Sequence, residues 1–310
     1  MKWIIGIDGG GTKTMGWAAD IKGKVLDQVE KGPGNYHVTG VAEFTTVIAG
    51  IIDELAISCG WPKEDLMVVS LGLAGADREN DRKIIGSALA ELKLPCHYLI
   101  NSDAKIALAA GLKKAEGIVL IAGTGSIAYG ITEQGNVIRA GGWGQLASDE
   151  GSGYDIGRQA LVRGIKAVEG RDKATVLLDK IMEYLKLTSW EELIGYINNR
   201  TTTKTDIAAL AQVVTDAAAQ HDQVACEILQ QSGEELAGLV KAVISRGFSE
   251  EKTVQVCVYG GIVSNVPLVR NHLAAALGEK AELIIGQDQP VAGAIRLGLT
   301  WLEDNRKELG

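Results

Sequence analysis

The sequence has 310 residues and a formal net charge of −8, with 46% hydrophobic and 23% charged residues. This length exceeds what one ordinary core serves, so we expect two domains of a globular protein. The acidic balance argues against a nucleic-acid partner, which needs clustered Lys and Arg. No apolar run reaches the ~18 residues of a bilayer span, and Asp8 ends the apolar N-terminus too early for a signal peptide, so we expect a cytoplasmic protein without a membrane partner.

The cysteines and histidines give no sign of a metal centre. The four cysteines lie far apart without a C-x-x-C pair, and the four histidines lack metal-ligand spacing. Without an export signal, reduced thiols are the simpler interpretation. The sequence therefore argues against zinc and iron–sulfur sites.

The first hundred residues predict strands alternating with helices. Apolar runs bounded by glycine turns predict the strands, and apolar residues three and four apart predict the helices. The predicted strands are 3–8, 14–20, 24–31, 66–73 and 97–100. The predicted helices are 41–57, 82–92 and 103–110, the last one capped by Ser102 or Asp103.

The same order of elements then starts again. The predicted strands are 117–122, 126–131 and 136–140, followed by helices from about 154 to 247, strand 253–259, a helix starting at Ser264 or Asn265 and running through Leu277, strand 281–285 and helix 291–302. Because an apolar strand, a glycine turn and two further strands recur, we predict two topologically similar halves. The mixture of strands and helices predicts an α/β protein whose halves enclose a cleft.

The turn after the first strand is the first candidate site. Asp8 ends the strand, and Gly10, Gly11 and Thr12 follow in a turn whose backbone N–H groups could approach an anion. In this interpretation the turn holds phosphate and Asp8 holds Mg²⁺ through water; in the alternative the turn is a simple hairpin and Asp8 caps it. A P-loop is excluded because Thr12 precedes Lys13, which we interpret as a solvated turn residue.

A second glycine turn lies at the matching place in the second half. Gly123, Thr124 and Gly125 follow its first strand as Gly10, Gly11 and Thr12 follow Asp8. Two such turns at equivalent positions are harder to dismiss than one, so the pair favours binding of a polyphosphate.

Two more junctions carry polar or glycine residues. Asp103 lies where a strand ends and a helix begins, so it can be a helix N-cap, a base that accepts a hydroxyl proton during phosphoryl transfer, or both, since the two roles are compatible. Gly260 and Gly261 follow the strand 253–259, where they either let an adenine ring lie against the backbone or form a plain turn to Asn265.

Residues 141–154 combine five glycines with Trp143 and the neighbouring acids Asp149 and Glu150. Small residues let the backbone approach a ligand, an aromatic ring covers an apolar face, and carboxylates accept hydrogen bonds from hydroxyls. That combination suits a sugar. The alternative is a glycine loop with Trp143 packed into the core.

Together these segments resemble the actin, Hsp70 and sugar-kinase superfold, and specifically the N-acetylglucosamine kinase branch grouped with the BadF/BadG/BcrA/BcrD ATPases. Residues 5–14 (IGIDGGGTKT) and 121–126 (IAGTGS) are similar to its two phosphate motifs, and Gly260-Gly261 to its adenosine motif. The most specific match is Gly-Trp-Gly at 142–144 followed by Asp-Glu-Gly-Ser-Gly at 149–153.

The resemblance implies an ATP-dependent kinase that phosphorylates a hydroxyl of an amino sugar, the C6 hydroxyl of N-acetylglucosamine first. It implies that Asp103 is the base, that Asp8 binds Mg²⁺, and that the remaining residues bind the two substrates. The nucleotide residues it implies are Gly10, Gly11, Thr12, Gly123, Thr124, Gly125, Gly260, Gly261 and Asn265. The sugar residues it implies are Asn35, Asp103, Gly142, Trp143, Gly144 and Asp149.

The resemblance also implies two ribonuclease H-like, actin-like ATPase domains. Their expected bounds are 1–115, with the C-terminal helix 290–303 packing back on it, and 116–289, with a helical insertion over 154–247. A homodimer is the symmetric default.

The sequence leaves alternatives for both the sugar substrate and the class of activity. After the Trp-Gly pair the chain has Gln145 to Ser148, where relatives often have glycine just before the aspartate. Glucosamine, N-acetylmuramic acid and glucose are alternative acceptors, because such sugars differ by groups worth only ~1–3 kcal/mol in an apolar pocket. A BadF-type activator that couples ATP hydrolysis to a partner enzyme, and a chaperone- or filament-type ATPase, are the competing classes.

Overall fold

The computed structural model describes residues 1–76, 78–114, 116–249 and 253–305. The chain divides into two compact units. Unit 1 comprises Met1–Gly117 and Gly286–Gly310, and unit 2 comprises Ile118–Ile285. None of the described helices combines the length and apolarity that a bilayer span requires.

Unit 1 contains a five-stranded sheet in the order β3-β2-β1-β4-β5. Its strands are β1 (Trp3–Gly9), β2 (Thr14–Asp20), β3 (Val25–Lys31), β4 (Leu66–Leu73) and β5 (His97–Ser102). β1 pairs antiparallel with β2 and parallel with β4, and β4 pairs parallel with β5. β1 is central and buried on both faces, which explains why it reads as a continuous apolar run and not as an alternating one.

Helices cover both faces of the unit 1 sheet. They are α1 (Tyr36–Thr39), α2 (Val41–Cys59), α3 (Glu79–Ala90), α4 (Asp103–Leu112) and α13 (Pro290–Asp304), with a 3₁₀ turn at Lys63–Asp65. The apolar residues of α2 and α3 form one core with Trp3, Ile5 and Ile7 of β1. On the other face Ile295 of α13 packs against Ile4. The C-terminal helix is therefore part of unit 1.

Unit 2 repeats this sheet. Its order is β10-β9-β6-β7-β8, the same arrangement with β6 in the place of β1. The strands are β6 (Gly117–Ala122), β7 (Ser126–Ile131), β8 (Val137–Gly141), β9 (Val254–Tyr259) and β10 (Ala281–Ile285). β6 and β10 both pair parallel with β9, and β7 pairs antiparallel with β8. The predicted similarity of the two halves is thus confirmed at the level of sheet topology.

Helices dominate the rest of unit 2. They are α5 (Gly153–Val168), α6 (Leu177–Leu185), α7 (Trp190–Asn198), α8 (Lys204–Ala209), α9 (Ala211–Ala219), α10 (Gln223–Gly247), α11 (Gly261–Asn265) and α12 (Pro267–Leu277), with a 3₁₀ turn at Gly278–Lys280. Apolar residues of α5, α9, α10 and α12 form one core with Ile118 and Leu120 of β6 and with Val256 and Val258 of β9.

Predicted helix ends shift by two or three residues at α3 and α4, and one predicted helix is interrupted. The helix expected from Ser264 or Asn265 through Leu277 begins three residues earlier, at Gly261, and is interrupted at Val266. Val266 has extended backbone angles (φ −111°, ψ 91°) because Pro267 follows it, and the proline ring disfavours a helical residue before it. Pro267 then occupies the first turn of α12, where its missing N–H is tolerated.

Candidate active site

The first glycine turn joins β1 to β2 and is held by backbone hydrogen bonds. The Gly10 N–H donates to the carbonyl of Lys13 (2.9 Å), and the Gly34 N–H donates to the carbonyl of Gly10 (3.0 Å). Among the described residues, the N–H groups of Gly11 and Thr12 donate to no protein acceptor. Both residues are exposed, so these two N–H groups are open to a ligand.

Lys13, beside this turn, behaves as the solvated turn residue that the sequence predicts. Its side chain is exposed, and its Nζ lies 2.8 Å from the carboxylate of Glu30. Lys13 is therefore not directed at a ligand of the Gly11 and Thr12 N–H groups.

Asp8 and Asp103 lie at one edge of the unit 1 sheet. The strand register pairs Asp8 with Gly72 of β4 and pairs Gly72 with Asn101 of β5, so the carboxyl ends of β1 and β5 flank the same point. Parallel strands bring their carboxyl ends to a common edge, where ligands bind in open α/β sheets. Asp103 follows β5 directly as the first residue of α4.

The two acids interact electrostatically. Burial raises the pKa of Asp8 to about 6, with the negative charge of Asp103 as the second cause, while nearby Lys13 lowers it. A carboxylate that titrates near neutrality beside a second acid is typical of sites that bind a cation or move a proton.

Asp103 is not the N-cap of α4. The cap is Ser102, whose Oγ accepts a hydrogen bond from the Lys105 N–H (3.2 Å), while Oδ1 of Asp103 accepts from the N–H of Ala104 (2.8 Å). The capping alternative for Asp103 is therefore wrong, and its second carboxylate oxygen is not needed for the helix start.

Asn35 lies in the loop after β3. Its Oδ1 accepts a hydrogen bond from the His37 N–H (3.0 Å) and caps the short helix α1. The loop is fixed to the first glycine turn, because the buried Thr14 hydroxyl donates to the carbonyl of Gly32 (2.8 Å). Tyr36 and His37 both contact the buried carboxylate of Asp81, an anchor that the sequence did not reveal.

The second glycine turn joins β6 to β7 and lies at the start of α5. The Gly123 N–H donates to the carbonyl of Gly125 (3.0 Å), and the Gly153 N–H donates to the carbonyl of Gly123 (2.8 Å). The N–H groups at the start of α5 thus donate hydrogen bonds to carbonyl groups of the glycine turn. Within the described ranges, the N–H groups of Thr124 and Gly125 have no protein acceptor, as at the first turn.

Asp149 is buried beneath this second turn and has two protein partners. Its Oδ1 accepts from the Ser126 N–H (3.1 Å), and its Oδ2 lies 2.6 Å from Nζ of Lys204. Its backbone is left-handed (φ 74°), which is uncommon outside glycine. The sequence predicted Asp149 as a sugar ligand and did not single out Lys204. No local signal could reveal this pair, because 55 residues separate its members.

A pocket of about 330 Å³ lies beside the second turn, within unit 2. Gly123 and Thr124 line it, together with Gly153, with Thr205, Ala208 and Ala209 of α8, and with Gly261 and Ile262 of α11. Its volume is at the lower end of the range for small-molecule sites. The predicted adenosine residues are therefore beside the predicted phosphate residues of the same unit.

Gly260 is required where α11 begins. Its φ is +97°, and a Cβ atom built there would lie 2.3 Å from the carbonyl oxygen of Ala122. A Cβ at Gly261 would have Nδ2 of Asn265 as its nearest neighbour, at 3.8 Å. The backbone at Gly260 therefore approaches β6 too closely for any side chain.

Trp143 extends from the loop after β8 and is 67% exposed. The guanidinium of Arg139 lies 4.6 Å from the centre of its ring and donates to the carbonyl of Gly142 (3.0 Å). Gly142 and Gly144 both have positive φ. The alternative in which Trp143 packs into the core is wrong, so its apolar ring is available to a ligand.

The predicted site residues divide between the two units. Unit 1 contains the acids, the first glycine turn and the asparagine loop, and unit 2 contains the second turn, the tryptophan loop and the adenosine turn. The unit 1 set is Asp8, Gly10, Gly11, Thr12, Asn35 and Asp103. The unit 2 set is Gly123, Thr124, Gly125, Gly142, Trp143, Gly144, Asp149, Gly260, Gly261 and Asn265.

Two sheets of the same 3-2-1-4-5 topology, each with a glycine turn after its first strand, are the architecture of the actin-like, sugar-kinase fold. The chain belongs to the BadF/BadG/BcrA/BcrD ATPase family, whose model matches residues 5–298. The protein is thus an ATP-using member of that fold class.

Curated relatives match over nearly their full length. The chain is 38% identical over 298 residues to the N-acetylmuramic acid/N-acetylglucosamine kinase of Clostridium acetobutylicum, covering 95% of this chain and 97% of the relative. It is 31% identical to the N-acetyl-D-glucosamine kinase of Dictyostelium discoideum, covering 96% and 97%. A solved structure from Chromobacterium violaceum, provisionally identified as an N-acetylglucosamine kinase, is 25% identical with a TM-score of 0.77, covering 96% and 99%.

Proposed function

We propose that this protein is a kinase that transfers the γ-phosphoryl group of ATP to the C6 hydroxyl of an amino sugar, N-acetylglucosamine first. Membership of the ATPase family supports the nucleotide. The relatives in Clostridium acetobutylicum and Dictyostelium discoideum support the amino sugar, since both names include N-acetylglucosamine.

The proposal depends mainly on one observation, that Asp8 and Asp103 lie at the same edge of the unit 1 sheet. Phosphoryl transfer to an alcohol needs a carboxylate that accepts the hydroxyl proton, and otherwise mainly positioning and neutralisation of charge. We assign the proton to Asp103, because it is the first residue after β5, at the same sheet edge as Asp8, and because Ser102 provides the cap of α4.

Asp8 fits the role of the Mg²⁺ residue. The negative charge of Asp103 and burial both disfavour its ionised form, and a divalent cation would relieve both effects. The described residues contain no cluster of three or more ligating side chains. This suits Mg²⁺, which keeps several waters and is bound through one or two carboxylates and substrate phosphates. When bound, the ion neutralises charge that develops on the transferred phosphoryl group.

For ATP we propose that each unit is one actin-like ATPase domain, with residues 154–247 as an insertion in the second. The N–H groups of Gly11 and Thr12 in unit 1, and of Thr124 and Gly125 in unit 2, are the phosphate donors. The pocket beside Gly261 accepts the nucleoside, with Gly260 and Asn265 at its edge. Such backbone donors carry fixed partial positive charge and need no rearrangement to meet an anion.

For the sugar we propose the residues Asn35, Asp103, Gly142, Trp143 and Gly144. The sugar role of Asp149 stays a prediction, because its two carboxylate oxygens are bonded to Ser126 and Lys204. The exposed ring of Trp143 supports this set, because an apolar ring held by a guanidinium in solvent suits the apolar face of a sugar.

An ATP-coupled assay with four sugars tests this function. N-acetylglucosamine, glucosamine, N-acetylmuramic acid and glucose are each added to the protein with ATP and Mg²⁺, and ADP release is recorded. We expect little hydrolysis without sugar and the highest kcat/KM with N-acetylglucosamine. Sugar-independent ATP hydrolysis that none of the four stimulates would instead favour an ATPase activator, and a different preferred sugar would correct the substrate.

A further inference from the structure

Lys204 is a charged residue at the second glycine turn that the proposed function has not used. It is the first residue of α8, and the Thr203–Asp206 capping box fixes the start of that helix. Its side chain is 31% exposed, so it reaches both the interior and the solvent. Thr205, the next residue in the chain, lines the pocket beside the turn.

The turn, the lysine and an acid converge on one glycine. A Cβ atom built at Gly125 would lie 2.7 Å from Nζ of Lys204 and 2.6 Å from Oδ1 of Asp149. The ammonium group therefore lies directly against the backbone of the turn. Asp149 also accepts a hydrogen bond from the Ser126 N–H, so it holds the lysine beside the turn.

The donors of Lys204 are only partly used. An ammonium group carries three N–H donors, and Asp149 accepts one of them at 2.6 Å. The Thr124 and Gly125 N–H groups beside it have no acceptor among the described residues. A positive charge next to two open backbone N–H groups is the arrangement that a phosphate oxygen requires, with lysine acting as a point charge.

We propose that Lys204 binds a phosphate of the nucleotide at the second turn and that Asp149 holds it there. This inference rests on the proposed function, since it takes the pocket for the nucleoside of ATP. At the first turn, Lys13 is instead paired with Glu30 at the surface. The second turn thus has a cation beside it, Lys204, which comes from a distant part of the chain.

The alternative is that Lys204 serves only as the counter-ion of a buried acid. Burying Asp149 without a partner would be costly, so a lysine is expected there even without a nucleotide. The two roles differ in one measurable respect. A counter-ion supports the whole pocket, whereas a phosphate ligand affects only nucleotides that carry phosphates.

The test measures binding of ATP, ADP and adenosine to the full-length protein by calorimetry and ligand-observed NMR, without sugar. We expect Lys204→Met to weaken ATP and ADP binding about tenfold or more, since a charge-assisted hydrogen bond is lost, and to leave adenosine binding unchanged. Lys173→Met is the matched control, because Lys173 also pairs with an acid in unit 2, Glu227, on the surface. It should bind all three ligands as the parent protein does.

The double variant Lys204→Met with Asp149→Asn removes both charges and so avoids an unpaired buried acid. Selective loss of ATP and ADP binding that persists in this variant supports the proposal. If Lys204→Met binds ATP normally, or if adenosine binding falls equally and the double variant restores all three ligands, Lys204 is a counter-ion and the inference is overturned. Failure of the parent protein to bind ATP would instead overturn the proposed function.

Discussion

Asp8→Asn is expected to stabilise the protein while removing its activity. In the folded protein the pKa of Asp8 is about 6, against an ordinary value of 3.8. A raised carboxyl pKa means that the folded state disfavours the charge, so stability is lost as pH rises from 3.8 through 6. About two pKa units at ~1.4 kcal/mol each give a penalty of about 3 kcal/mol above pH 6. The isosteric amide of the Asp8→Asn variant carries no charge, so the variant does not incur this penalty.

Urea unfolding followed by tryptophan fluorescence measures this effect. Without Mg²⁺, the variant should exceed the parent in unfolding free energy by up to about 3 kcal/mol at pH 7.5. At pH 3.5 the gain should nearly vanish, because Asp8 is then mostly protonated in both the folded and the unfolded parent. Mg²⁺ with ATP should narrow the gap at pH 7.5, because ligands that bind the folded parent stabilise it.

The matched control is Asp27→Asn, in the same unit. Asp27 is half-buried on β3, and hydrogen bonds from Ser58 and from the Gln28 N–H hold its pKa below the ordinary value. Its replacement should therefore not stabilise the protein at neutral pH. Equal stabilisation of Asp8→Asn at pH 3.5 and 7.5, or none at either, would refute the assignment of a buried, charge-repelled carboxylate.

Three further substitutions test the proposed site. Asp103→Asn should retain ATP binding in calorimetry and lower kcat about 10²- to 10⁴-fold, the contribution of a general base. Gly260→Ala should lower the unfolding free energy by ~1–3 kcal/mol, because its φ is +97° and its Cβ would lie 2.3 Å from the Ala122 carbonyl, whereas Gly261→Ala should cost less. Trp143→Ala should leave the unfolding midpoint nearly unchanged and raise the sugar KM up to about tenfold, since the ring is exposed and its stacking is lost.

Each of these expectations has a contrary result. Near-normal kcat in Asp103→Asn would show that another group accepts the proton. Equal stability of the Gly260→Ala and Gly261→Ala variants would show that the backbone approach to β6 is not close. A Trp143→Ala protein that unfolds much earlier than the parent would place the ring in a packed environment and remove it from the sugar site.

Much of the architecture follows from the sequence because its signals are local. The predicted and observed bounds of the strands Thr14–Asp20 and Leu66–Leu73 agree, since a charged residue precedes each strand and a glycine follows it within three residues. The two glycine turns were also visible, because tight turns need glycine at fixed places. The predicted helix 264–277 is interrupted at Val266, where the local effect of Pro267 outweighs the helical pattern of apolar residues.

The charge properties of the site needed the tertiary structure. The sequence identified Asp8 and Asp103, but their mutual effect on the Asp8 pKa depends on burial and on a register that sets both against Gly72. Desolvation and Coulomb interactions act through space, so residue types alone do not determine them.

The sequence by itself determined the order of strands, helices and glycine turns, since backbone conformation responds to neighbours in the chain. Only the tertiary structure decided which distant side chains meet. Lys204 reaches Asp149 across 55 residues because α8 packs beside the turn that α5 supports. Such a pair is set by the packing of whole elements, and packing distances are not encoded in any short pattern of residues.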